Sequence, residues 1–209
     1  MKKFLLLTLF SVATTWAFAQ TNEDDLVRAS YSAYKSAILN DKGEEAVKYV
    51  DSRTIRYYDK ILGLVKTADS TTVDRLGLMD KIMVLTVRSK VTPQEVRSFD
   101  GSKLLVYAIK SGMVGKNSVS TISVGDVRVD GNFATGQFVN NGVKTPLNLQ
   151  FYKEGGSWKS DLTALFPASA GSMKSMVERS GKTENEFILF VLETLTGKKQ
   201  DATIWKPFN

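Results

Sequence analysis

The chain has 209 residues, 43% apolar and 24% charged, a composition typical of a folded globular protein. It has no cysteine and no histidine, which excludes disulfides, Cys/His zinc sites, Ser-His-Asp triads and cysteine nucleophiles. Any acid–base chemistry falls to Asp, Glu, Lys or Tyr. The +6 formal charge comes without a recognition motif, so no nucleic-acid partner is expected.

Residues 1–19 carry the three parts of a secretory signal peptide. Lys2 and Lys3 form the basic region, Phe4–Phe10 begins an apolar stretch that runs less strictly to Phe18, and Ala17-Phe18-Ala19 supplies small residues around a large one. Cleavage is expected after Ala19, leaving residues 20–209 as one exported domain, periplasmic or extracellular, with its charge reduced from +6 to +4. Ser11, Thr14 and Thr15 interrupt the apolar stretch, and no later stretch is long and apolar enough to span a bilayer. Without cysteine, no lipid can be attached at the new N-terminus.

Helices come first. Thr21 and Asp24 resemble a capping box, followed by Leu26, Ser30, Tyr34, Ala37 and Ile38 at helical spacing. Asn40-Asp41-Lys42-Gly43 reads as a loop, and a short helix follows over 44–50. Asp51 or Ser52 caps the next helix, with Ile55, Tyr58, Leu62 and Val65 on its apolar face. Another helix starts near Ser70 and uses Val73, Leu76, Met79, Met83 and Val87. Thr92-Pro93-Gln94-Glu95 is a strong helix start, Asp100-Gly101 ends that piece, and Leu104–Ile109 forms one more helix before Gly112.

The period then changes to two. Ile122/Val124 and Val127/Val129 alternate out of phase, which predicts a β-bulge at Gly125-Asp126. Turns at Asp130-Gly131, Asn140-Asn141-Gly142 and Gly155-Gly156 divide 118–162 into a four-stranded antiparallel meander. Val143, Thr145, Leu147, Leu149 and Phe151 are expected on one face of the third strand, and Trp158, Ser160 and Leu162 on one face of the last. Two further helices follow, the last opened by the Thr183/Glu186 capping box and containing the apolar run Phe187–Leu192.

Helices followed by a meander make an α+β fold. The stretch from Tyr34 to Tyr58, with its Asn-Asp-Lys-Gly break and EEAVKYVDSRTIRYYD, resembles the opening of secreted NTF2-like proteins. LQFYKEGGSWKSDL is similar to their last two strands. The resemblance implies N-terminal helices packed on a curved meander that forms a cone-shaped pocket. The segments 70–112 and 167–196 are extra helices beside that pattern. It implies no single activity, since members include isomerases, dehydratases, carriers and binding domains.

The expected function is therefore non-catalytic binding of a small apolar or amphipathic molecule, or of a protein partner, with no cofactor and no metal. Tyr58, Gln137, Trp158 and Ser160 are the candidate ligand contacts. Phe187, Phe190 and Val191 are the candidate interface of a homodimer, because that helix is apolar on most sides. The alternatives are an isomerase- or hydrolase-type enzyme using Asp and Tyr, and an interaction protein acting through 187–192. In Tyr57-Tyr58-Asp59, successive side chains diverge by about 100°, so Asp59 is expected in solvent beside Arg56. Asp161 is expected to face out, and Arg88, Lys90, Lys198 and Lys199 to be solvated, with Arg88 close to a helix C-terminus.

Overall fold

The structure, a computed structural model, describes residues 15–208 except Gly115. The predicted signal peptide lies largely on residues outside that range. Helix α1 (Thr15–Leu39) continues through the predicted cleavage junction, so Thr21 is not its start. Its buried face is Val27, Ser30, Tyr31, Tyr34, Ala37 and Ile38, while Leu26 is exposed. The expected stripe is therefore turned by one residue at its N-terminal end. Asp41 takes a left-handed φ of 57° in the turn to α2 (Gly43–Ala46), which continues into a 3₁₀ turn, Val47–Tyr49.

Asp51 caps α3 (Ser52–Thr67) by accepting from the Thr54 amide. The single helix expected over 70–87 is two, α4 (Ser70–Asp74) and α5 (Leu78–Lys90). They break at Arg75-Leu76-Gly77, where Gly77 stands extended as the cap of α5. Helix α6 (Pro93–Ser98) has the full Thr92/Glu95 capping box. Asp100 does not end a helix. Its carboxylate accepts from the Lys103 amide and opens α7 (Gly101–Lys110). A short helix α8 (Asn117–Ser120) leads into the sheet.

The sheet is an antiparallel meander in the order β1 (Ile122–Asp130), β2 (Phe133–Asn140), β3 (Val143–Glu154), β4 (Ser157–Asp161). The β1/β2 register shifts between Val124 and Val127, so Ile122, Val124, Val127 and Val129 all turn towards the core. A second shift, between Gln137 and Val139, was not anticipated. Opposite it, β3 passes Thr145, Pro146 and Leu147 between the partners Lys144 and Asn148. Proline has no amide to give the ladder, and the Thr145 hydroxyl donates instead to the Phe138 carbonyl at 2.8 Å. The apolar face of β3 is consequently buried only at its far end: Phe151 is fully enclosed, whereas Val143 is 66% exposed.

Helix α1 crosses the sheet, touching β1 and β4. Tyr31 meets Phe151 edge-on at 6.5 Å. Helices α3, α5 and α7 pack beyond, joined to the same core through Tyr58, Ile61, Leu104 and Leu105. After a 3₁₀ turn (Leu162–Leu165), α9 (Phe166–Ser180) and α10 (Glu184–Thr196) form a hairpin turned at Gly181, φ 68°. Lys81 is buried on α5 and donates to Glu184 at 2.7 Å and to Asn185 at 3.2 Å, fixing the start of α10. No helix among the described residues is long and apolar enough to cross a membrane.

Candidate functional site

Polar contacts at three places along α3 tie down the helices that enclose an apolar cleft. At the N-terminus of α3, Asp51 and Thr54 are fully buried. The Asp51 amide donates to the Ser160 carbonyl at 3.0 Å, and the Thr54 hydroxyl accepts from the Leu162 amide at 2.9 Å. Midway, the Asp59 carboxylate, exposed as expected, accepts from the Gly101 amide at 2.6 Å and so caps α7, while Arg56 donates to the Ser52 hydroxyl instead of pairing with it. At the C-terminus of α3, the Arg88 guanidinium donates to the carbonyls of Leu64, Val65, Ala68 and Ile204. Arg88 is in the last turn of its own helix, as expected, but its guanidinium serves the C-terminus of α3, and the side chain is buried rather than solvated. The orphan carbonyls and dipole of α3 supply the counter-charge that makes its burial tolerable.

Between these anchors lies a cleft of about 200 Å³. Its walls are Tyr58 and Ile61 of α3, Ile82, Met83, Thr86 and Val87 of α5, and Leu104 and Ala108 of α7. Met113 and Val114 close one side. Leu195 of α10, 60% exposed, brings the cleft to the surface. Among the described residues no charged side chain lines it, and the polar side chains are those of Tyr58 and Thr86. Tyr58 is 6% exposed, and its hydroxyl has no hydrogen-bond partner among the described residues. Burial alone pushes its phenol up to about 12, so it remains a neutral donor at physiological pH.

The other candidate contacts do not join Tyr58. Trp158 is buried at the sheet edge under α1, and its indole donates to Glu23 at 2.6 Å. It borders a wider surface groove of about 460 Å³ with Leu26, Ala29, Ala33 and Tyr49. Ser160 pairs with Phe151 across the sheet and faces the core. Its hydroxyl is sealed there without a partner. Gln137 is on the opposite face of β2, because Ala134 and Gly136 occupy the core side. Its amide oxygen is buried without a partner beside Gly125 in the bulge. Asp161 is buried, not outward: its carboxylate accepts from the Thr163 amide at 2.8 Å and hydroxyl at 2.6 Å, capping the turn after β4.

The apolar run on α10 is split by the helix. Phe187, Ile188 and Leu192 are buried, so Phe187 is not available to a partner, while Phe190 is 53% exposed and Val191 half-buried. An Asp–Tyr pair does exist, but on the surface side of α3. The Tyr57 hydroxyl donates to Asp80 at 3.0 Å, and Lys60 holds the other oxygen of that carboxylate at 2.6 Å. Neither Tyr57 nor Asp80 lines the cleft. Among the described residues, no group of three or more His, Cys, Asp or Glu is placed to hold a metal ion.

No family model, curated protein or solved structure matches the chain.

The Glu23 contact carries a pH prediction. Lys153 and then Trp158, each by a hydrogen bond, hold the Glu23 carboxyl below its ordinary value of 4.5. A depressed pKa contributes stability above the unfolded-state value, and this is lost as pH falls through the folded value. The α1–β4 contact should therefore weaken on acidification below pH 4.5. The change should appear in Trp158 fluorescence and be absent in Glu23→Gln. An unaltered titration in that variant would refute the assignment.

Proposed function

We propose that the protein binds a small apolar molecule without transforming it, in the cleft between α3, α5 and α7. The observation that carries this reading is the composition of that cleft: apolar walls, two hydroxyls and, among the described residues, no carboxylate or amine beside them to serve as a base. The NTF2-like relationship belongs to the same proposal. The helices preceding an antiparallel meander with a bulge at Gly125 support it, whereas a cleft walled by helices rather than by the sheet departs from the cone expected of that family. The proposal includes export. The processed protein is expected to begin at Gln20, and an intact-mass measurement finding Met1 retained in the exported fraction would contradict it.

The binding test is calorimetric titration of the purified protein with p-xylene. Wild type should bind, and Ala108→Phe, which fills the cleft, should not, with circular dichroism confirming that the variant is folded. Equal affinity in the two proteins would sink the reading. A second reading, self-association through α10, draws on the exposure of Phe190 at 53% and Leu195 at 60%. Light scattering would support it if wild type is dimeric and Phe190→Glu monomeric. A monomeric wild type would eliminate it.

A further inference from the structure

We infer that the cleft selects a neutral molecule of single-ring size carrying one hydrogen-bonding oxygen, which meets the Tyr58 hydroxyl. This rests on the reading of the cleft as a binding site and specifies what it takes. Size comes first. An apolar protein cavity of roughly 150 Å³ admits benzene, so about 200 Å³ encloses a substituted ring, whereas a sterol or a long acyl chain would leave much of itself outside. Charge comes second. Among the described residues no Lys, Arg, Asp or Glu lines the cleft, so a charged ligand would lose its hydration and gain no counter-charge.

The polar handle comes third. Buried tyrosines ordinarily place the hydroxyl against a partner, and Tyr57, the adjacent residue, does so with Asp80 at 3.0 Å. Tyr58 is 94% buried and lines the cleft, no described residue bonds its hydroxyl, and that oxygen, unlike those of Gln137 and Ser160, is not sealed off. A ligand oxygen entering the cleft supplies the missing bond. Thr86, on the facing helix, brings a second hydroxyl to the lining, able to donate a hydrogen bond to a ligand oxygen or accept one from a ligand hydroxyl.

The test compares three ligands of similar shape, p-cresol, p-xylene and p-toluate, by calorimetry on wild type and Tyr58→Phe. Wild type should bind p-cresol and p-xylene and not p-toluate. Tyr58→Phe should weaken p-cresol about tenfold, the value of one buried hydrogen bond, and leave p-xylene within about twofold. An unchanged p-cresol affinity in the variant, or tighter binding of p-toluate than of either neutral ligand, would overturn the inference. Binding of neither neutral ligand to wild type would instead overturn the underlying reading of the cleft. If Tyr58→Phe does not fold, the ¹³Cζ resonance of Tyr58 in wild type decides. It should move with p-cresol and hold with p-xylene, and an equal response to the two would refute the contact.

Discussion

Replacing Arg88 by alanine is expected to lower the free energy of unfolding by about 3–5 kcal/mol. The guanidinium is 5% exposed and serves four carbonyls, but the four are not equivalent. Leu64 keeps the amide of Ala68, and Val65 keeps that of Phe208. The carbonyls of Ala68, at 2.6 Å, and Ile204, at 3.3 Å, have Arg88 alone among the described residues. The substitution therefore strands two buried acceptors, leaves a void between α3 and α5, and releases the C-terminal segment around Ile204. Arg88→Lys should recover only part of the loss, because an ammonium cannot span acceptors that the planar fork reaches together. Urea unfolding of the two variants checks this. An Arg88→Ala midpoint within error of wild type would show that water replaces the contacts, contrary to the account.

Gly101→Ala is expected to cost about 3 kcal/mol and to weaken ligand binding at the same time. A Cβ at this position would lie 2.3 Å from the Ile55 carbonyl oxygen and 3.0 Å from the Asp59 amide nitrogen. These are backbone atoms of α3, so no side-chain rotation relieves the overlap. Helix α7 must move outward, breaking the 2.6 Å bond from the Gly101 amide to Asp59 and drawing Leu104 and Ala108 away from the opposite wall of the cleft. Thermal unfolding together with p-xylene titration measures the two effects. A variant less stable but with undiminished affinity would separate the α3–α7 contact from the site.

The sequence marked the elements well wherever local chemistry is enough. The Thr92 and Thr183 capping boxes and the bulge near Gly125 are where their residue types and periodicity placed them. It misled where a residue serves a distant element. Asp100, Asp161 and Arg88 look like solvent charges or chain stops, and Asp59 like a partner of Arg56, yet each satisfies backbone groups at an element end. For Asp59 and Arg88, that end belongs to a helix elsewhere in the chain. Capping by a side chain from another helix leaves no spacing to read. The cleft was half visible for the same reason. Tyr58 was picked out by its helical face, but Met83, Thr86, Leu104, Ala108 and Leu195 come together only through the packing of four helices. Gln137, Trp158 and Ser160 were grouped with Tyr58 because strand alternation gives a face and not a depth. The structure distributes them between the two faces and the edge of the sheet.

Methyl-resolved NMR of the folded protein during titration with p-xylene tests the central claim most directly. The account predicts perturbations concentrated on Ile61, Met83, Ala108, Met113 and Leu195, which line one cleft, with Leu26 and Ala29 of the surface groove unaffected. Perturbations centred on that groove or on the exposed face around Phe190, or none at saturating ligand, would contradict it.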